Sequence, residues 1–342
     1  MIEVRNLVKR YGNHTAVDHL SFTVNKGQVL GFLGPNGAGK STTMNIITGY
    51  ISATEGTVTV NGLDVFEEPE AVKTMIGYLP EFPPLYPDMT VKEYLYFVAD
   101  IKKVKKSEKA AMVSDVMEAT RITAMSARLI KHLSKGYKQR VGLAQAIMGY
   151  PELIILDEPT VGLDPKQIIE IRDLIRELSK NHTIILSSHI MQEVSAVCDT
   201  ILIIDRGKVV VADTPDSLIR YFGNTGDLKI SVRGNRDAIL NKLNTIEGIN
   251  KIEEKNCYED GVMEFAVFCD ENADVREKIF YAAHEAGASL LEMQTQRLTL
   301  EDIYLMATRD KRFEQIEILD KISDDAEEIL NGEEETGDAC NL

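Results

Sequence analysis

Residues 34–42 read GPNGAGKST, and residues 29–33, VLGFL, run straight into them. An apolar strand, a glycine-rich turn and a helix start are the context that a phosphate-binding P-loop requires. Gly34, Gly37 and Gly39 allow the backbone to curl so that successive N–H groups face a phosphate chain. Pro35, Asn36, Ala38 and Thr42 belong to the same loop. The helix that follows adds its positive N-terminal end. Lys40 is placed to reach the β- and γ-phosphates, and the hydroxyl of Ser41 to hold Mg²⁺. A merely structural glycine turn explains the glycines but not Lys40 and Ser41 directly after Gly39. The stretch predicts binding of ATP or GTP with Mg²⁺.

A chain of 342 residues suggests about two domains. Its 44% hydrophobic and 27% charged content is ordinary for a soluble globular protein. No apolar run approaches the roughly 18 residues needed to span a bilayer. The opening residues 1–10 alternate charged and apolar like an edge strand, unlike a signal peptide. The four cysteines, Cys198, Cys257, Cys269 and Cys340, form no CxxC pair, which suits reduced thiols in a cytosol. The net charge of −16 is unevenly placed: residues 313–342 carry eleven acidic side chains and one lysine, a net −10, leaving −6 for the rest. An acidic balance argues against a nucleic-acid partner.

Three blocks follow one another. The first covers residues 1–223. Short alternating strands are expected at 2–4, 22–24 and 57–60. Residues 81–88 pack Pro83, Pro84 and Pro87 into a stiff connector. Thr90, three residues before Glu93, opens a helix through a capping box. A second helix starts at Ser107, with Met112, Val113, Val116 and Met117 on one face. These helices belong to an insertion over about 85–150. The sheet resumes at residues 153–156, LIIL, apolar on both faces like a central parallel strand. Asp157 and Glu158 stand at its end. Asp164 and Pro165 start a helix, and the strand over 183–186 ends at Ser187, Ser188 and His189. Ligands of open α/β sheets sit at the carboxyl ends of strands. Lys40, Asp157, Glu158 and His189 all fall at such ends.

In this order the residues of 1–223 resemble the nucleotide-binding domain of an ABC transporter. Tyr11 resembles the aromatic residue that stacks on adenine, although a tyrosine beside Gly12 can also simply pack a turn. GPNGAGKST resembles the Walker A loop. Glu81 stands where the family usually has the glutamine of the Q-loop. LSKGYKQ over 133–139 resembles the signature, LIILDEP ending at Pro159 is similar to Walker B, VGLD over 161–164 to the D-loop, and His189 to the switch histidine. The resemblance implies catalytic roles for Glu158 and His189. It implies nucleotide contacts for Tyr11, residues 34–42, Glu81, Ser134, Gly136 and Asp164, and Mg²⁺ contacts for Ser41, Glu81 and Asp157. Glu158 then serves as general base or water-orienting group, and Asp157 supplies a hard oxygen ligand. The other histidines, His14, His19, His132, His182 and His284, read as ordinary surface or core residues. Two departures stand out. Lys135 and Tyr137 replace a glycine and a glutamine of the signature, and Glu81 brings a charge that repels the γ-phosphate. One P-loop and one signature per chain imply a head-to-tail homodimer or heterodimer of nucleotide-binding domains.

The second block, residues 227–309, reads as βαββαβ: strands at 228–232, 249–254, 262–268 and 289–293, and helices at 236–243 and 275–285. That is a ferredoxin-like pattern. A last helix starts at Thr299 and runs through Met306. Cys257 and Cys269 flank the hairpin turn unequally and do not face each other. The third block, residues 310–342, is an acidic tail with a helical stripe from Phe313 to Leu330. It is docked on the body or a partner, or is partly helical and solvated.

The expected fold class is therefore α/β: a P-loop NTPase of the ABC ATPase type, with a mixed sheet core, antiparallel N-terminal strands and a helical insertion. A small α+β ferredoxin-like C-terminal domain follows. The expected function is the ATP-hydrolysing subunit of an exporter. It is cytoplasmic, bound to the inner face of the membrane through an integral membrane permease, with no nucleic-acid partner. A ribosome-acting ABC ATPase usually carries two cassettes in one chain, and a DNA-repair ATPase needs a long coiled coil that residues 41–133 leave no room for. The alternative is a soluble ABC-type ATPase that acts as a regulatory or sensing adaptor.

Overall fold

The computed structural model describes residues 1–223, 228–258, 261–270, 273–295 and 303–304. It divides into two compact units, one over Met1–Asp213 and one over Thr214–Leu305. The first unit runs β1 (Ile2–Tyr11), β2 (His14–Val24), β3 (Val29–Leu33), α1 (Lys40–Ile47), β4 (Glu55–Val60), β5 (Leu63–Asp64), α2 (Pro69–Met75) and β6 (Ile76–Leu79). It continues through α3 (Val91–Ile101), α4 (Lys106–Ala119), α5 (Lys135–Ile147), β7 (Leu153–Asp157), α6 (Pro165–Ser179), β8 (Thr183–Ser188), α7 (Met191–Ser195), β9 (Thr200–Asp205) and β10 (Lys208–Asp213).

The central sheet has the order β10-β9-β3-β8-β7-β6. Its strands from β9 to β6 are parallel, and β10 joins the edge antiparallel to β9. Every residue of β3, β7 and β8 is buried, as parallel strands covered on both faces must be. These three strands are neighbours, so the P-loop after β3, the acidic pair after β7 and the histidine after β8 emerge side by side.

A second sheet, β2-β1-β4-β5, is antiparallel. Its strands β1 and β2 are far longer than the fragments expected from alternation. The pairing of β1 with β2 slips between Val4 and Leu7, where Asn6 takes a φ of 46°, and again between Leu7 and Lys9, opposite which His19 takes one of 53°. A bulge adds a residue and breaks the period of two, which hides a continuous strand from a pattern search. Ile2, Leu20, Val58, Phe32 and Met44 share one core, so both sheets and α1 bury their apolar faces together.

The helical insertion opens as expected: the Thr90 side chain accepts from the Glu93 N–H, and Glu93 accepts from the Thr90 N–H. Such a box is stabilising by about 1 kcal/mol. The next helix begins at Lys106 with no side-chain cap, so Ser107 lies inside its first turn.

The second unit starts with α8 (Pro215–Gly223), capped by the Thr214 hydroxyl accepting from Ser217 N–H at 3.1 Å. The boundary thus falls at Asp213, where edge strand β10 ends, and α8 groups with the unit that follows it rather than with 1–213. Then come β11 (Leu228–Arg233), α9 (Arg236–Leu243), β12 (Ile249–Cys257), β13 (Val262–Cys269), α10 (Arg276–Glu285) and β14 (Ser289–Thr295). The antiparallel order β12-β13-β11-β14 is the ferredoxin-like arrangement. Ile230, Phe265, Ile239 and Ile279 close its core. Register sets Cys257 opposite Met263 and Cys269 opposite Ile249, so the two thiols do not face each other. The expected helix from Thr299 and the acidic tail fall outside the described residues, apart from Ile303 and Tyr304.

Candidate functional site

The turn between β3 and α1 fits its glycines tightly. Gly37 and Gly39 have φ values of 84° and 105°, a region that side chains with a Cβ avoid. A Cβ on Gly39 would lie 2.5 Å from the Ala16 carbonyl oxygen, and one on Gly34 would lie 2.6 Å from that of Ile204. The loop wraps a buried ammonium. Lys40 Nζ donates to Gly34 O at 2.8 Å and Pro35 O at 3.4 Å, and stands 3.7 Å from Glu158 Oε1.

Glu158 is the hinge of the site. Its φ is 49°, a left-handed conformation that costs a non-glycine residue roughly 1–3 kcal/mol. Its N–H donates to Ser187 O at 3.0 Å. The other carboxylate oxygen meets His189 Nδ1 at 2.8 Å. One buried carboxylate therefore spans Lys40 from the P-loop and His189 from the end of β8, while the imidazole stays 46% exposed toward the opening. Asp157, one residue earlier, is 4% exposed and accepts from the Ser187 hydroxyl.

These groups line one side of a cleft of about 480 Å³. Tyr11, Pro35, Asn36, Gly37, Gly39, Lys40, Ser41, Thr42, Glu81, Glu158 and His189 all face it. Gly34 and Ala38 of the loop and Asp157 are buried and do not line the cleft. The structure also adds residues that the sequence reading passed over. His14, read there as an ordinary residue, lines the cleft with Ala16 and Val161. The signal was available: the two-residue turn Gly12 and Asn13 sets His14 directly opposite Tyr11. Lys9 Nζ sits 5.2 Å from the centre of the Tyr11 ring.

Ser134, Gly136 and Asp164 do not line that cleft. Ser134 caps α5 by accepting from Tyr137 N–H at 3.4 Å, and Asp164 caps α6 by accepting from Gln167 N–H at 2.9 Å. The two helix starts touch: a Cβ on Gly136 would lie 2.5 Å from Gln167 Oε1, and one on Gly162 would lie 2.2 Å from Lys135 Nζ. The signature variant Lys135 thus rests on the D-loop of its own chain.

The residues fit a nucleotide and Mg²⁺. Among the described residues no group of three or more His, Cys, Asp or Glu can hold a metal by itself. Mg²⁺ typically takes one or two protein oxygens and completes its shell with phosphate oxygens and water, and Ser41, Glu81 and Asp157 are donors of that kind.

The sequence pattern of the family described as "ABC transporter" matches residues 17–161. The linearmycin resistance ATP-binding protein LnrL of Bacillus subtilis (strain 168) is 34% identical over 313 residues, covering 90% of this chain and 98% of that protein. This chain belongs to the ABC transporter ATP-binding proteins. The bacitracin transport ATP-binding protein BcrA of Bacillus licheniformis is another relative, 33% identical over 307 residues, 89% of this chain and 96% of that one. A solved ATP-binding subunit of an ABC transporter superposes with a TM-score of 0.59 and 31% identity, covering 65% of this chain and 93% of its own. ATP is the nucleotide of this family, and the chain is an ATP-binding subunit of an ABC transporter. Among the described residues no helix is long and apolar enough to cross a membrane.

Proposed function

We propose that this chain hydrolyses ATP and uses the cycle to drive a separate integral membrane permease in an export system. The observation that carries the hydrolytic part is the Glu158 carboxylate, held between Lys40 and His189 at the cleft. A triphosphate entering along the loop offers Lys40 phosphate oxygens in place of the Gly34 and Pro35 carbonyls. Ser41, Glu81 and Asp157 are the groups that would hold Mg²⁺, which neutralises charge on the β- and γ-phosphates when bound. Freed from Lys40, Glu158 can accept a proton from, or align, an attacking water. His189, bonded to Glu158, fixes that carboxylate and presents its outer edge to the γ-phosphate. Tyr11 offers a ring face to adenine.

Ser134 and Gly136 lie away from the chain's own cleft, so their use as hydrogen-bond donors to a phosphate requires a second cassette. This supports a head-to-tail dimer, homodimeric or heterodimeric, whose closure depends on ATP. The link to a permease runs through the proline-rich connector. Glu81 lines the nucleotide cleft, while Phe82 and Pro84 line a separate groove of about 880 Å³. Tyr50, Tyr78, Lys73 and Lys102 also line it. Phe82 is 74% exposed. Burial pulls the Lys102 ammonium below its ordinary range, and its Nζ donates to Ile76 O at 3.2 Å. A movement at Glu81 reaches the groove within one residue. The protein then works at the cytoplasmic face of a membrane, and the relatives' roles in linearmycin resistance and bacitracin transport support an exporter. Purification of the full chain from solubilised membranes is expected to recover a polytopic protein. Phe82→Ala should weaken that recovery several-fold, because a large exposed aromatic anchor is lost. Recovery of ribosomes or DNA alone would overturn the permease assignment.

A further inference from the structure

Glu193 is a buried acid that the hydrolytic scheme does not use. It lies in α7 and is 3% exposed. Its Oε2 accepts from the hydroxyl of Thr160 and, at 3.4 Å, from that of Ser188. Its Oε1 has no hydrogen-bond partner, and no cation pairs with it among the described residues. Carboxylates are almost never buried without a cation unless something in the structure needs them there. Both hydroxyls are themselves buried, Thr160 at 3% and Ser188 at 0% exposure.

The positions of those hydroxyls are informative. Thr160 belongs to the turn that carries Glu158, where Val161 N–H donates to Glu158 O at 3.3 Å and Leu163 N–H donates to Thr160 O at 3.1 Å. Ser188 immediately precedes His189, and its oxygen accepts from Ile190 N–H at 3.0 Å, so the hydroxyl closes a turn around the histidine. β7 and β8 are paired only as far as Asp157 and Ser187. Beyond that point the Glu158 N–H bond to Ser187 O and the Glu158 carboxylate on His189 join the two strand ends directly, and Glu193 adds a buried side-chain link between the turn after Glu158 and the residue before His189. We propose that Glu193 is a positioning residue: its carboxylate ties the turn after β7 to the end of β8 and so keeps Glu158 and His189 in register. The inference rests on the ATPase reading given above.

The tether needs an acceptor oxygen and not a charge, so the amide oxygen of Glu193→Gln can replace it while Glu193→Ala cannot. In full-length protein, Glu193→Ala should lower kcat by about 10–100-fold, the scale expected for a misplaced catalytic pair. ATP affinity should stay within about twofold, because Glu193 is outside the cleft. Glu193→Gln should keep most of the wild-type turnover. Amide exchange in Glu193→Ala should rise about tenfold over residues 158–164 and 187–190 and stay unchanged over 34–42. Equal loss of turnover in the Gln and Ala proteins would overturn the tether, as would an Ala protein that loses ATP affinity in step with kcat. If wild-type protein shows no turnover, the ATPase reading fails and exchange decides alone: unchanged protection at both segments sinks the tether, and loss at both sustains it.

Discussion

Replacing Lys40 by alanine tests the nucleotide site at its most constrained side chain. The ammonium is 7% exposed and holds three oxygens: Gly34 O at 2.8 Å, Pro35 O at 3.4 Å and Glu158 Oε1 at 3.7 Å. None of these is lost without replacement when a triphosphate binds, because phosphate oxygens substitute for the carbonyls. What the mutant loses is a charge-assisted bond to phosphate, worth about 1.5–3 kcal/mol. At 1.4 kcal/mol per factor of ten, ATP affinity should fall roughly 10–150-fold. Hydrolysis should disappear, because the same contact stabilises charge developing on the γ-phosphate. The free protein changes less. Glu158 keeps its bond to His189, and the loop's shape is set by Gly37 and Gly39 rather than by the lysine. Equilibrium titration with a fluorescent ATP analogue, with circular dichroism to verify the fold, measures both effects. A well-folded Lys40→Ala protein with wild-type affinity and turnover would refute the assignment of this loop.

Two further outcomes are expected. Gly39→Ala places a Cβ 2.5 Å from a backbone oxygen at a φ of 105°. Strain and overpacking together should cost about 2–5 kcal/mol, a melting-temperature drop of at least ~5 °C; a drop under ~2 °C in a thermal scan would contradict the loop geometry. A chain ending at Asp213 keeps every residue that lines the cleft. It should fold and bind ATP within a few-fold of the full chain; loss of ATP binding by a folded 1–213 protein would make the second unit part of the nucleotide site.

Much of the site was legible in the sequence because its residues are fixed by strand ends. LIIL marks a doubly covered strand, so Asp157 and Glu158 were expected at its tip, and His189, at another strand end, was free to converge with them; the pairing of β7 with β8 is what sets them side by side. The βαββαβ order of the second unit was legible for a similar reason, since strand and helix periods differ. Other features were not. Asn6 and His19 in bulges concealed most of β1 and β2, because alternation cannot register an extra residue. His14 escaped because its place depends on a cross-strand pair. The contact of Lys135 with Gly162 joins segments distant in sequence, and no local pattern encodes it. Glu193 follows the same logic: a glutamate on a short helix reads as solvent-exposed until its burial is seen.

The measurement closest to the central claim is phosphate release by full-length protein carrying Glu158→Gln, run beside an ATP-binding titration of the same sample. The amide keeps the side chain's shape and can still bond His189, but it cannot take a proton from water. Turnover should fall by about 10²–10⁴ while ATP affinity stays near wild type, and light scattering with ATP and Mg²⁺ should show a longer-lived dimer. Phosphate release at the wild-type rate from the Glu158→Gln protein would contradict the account.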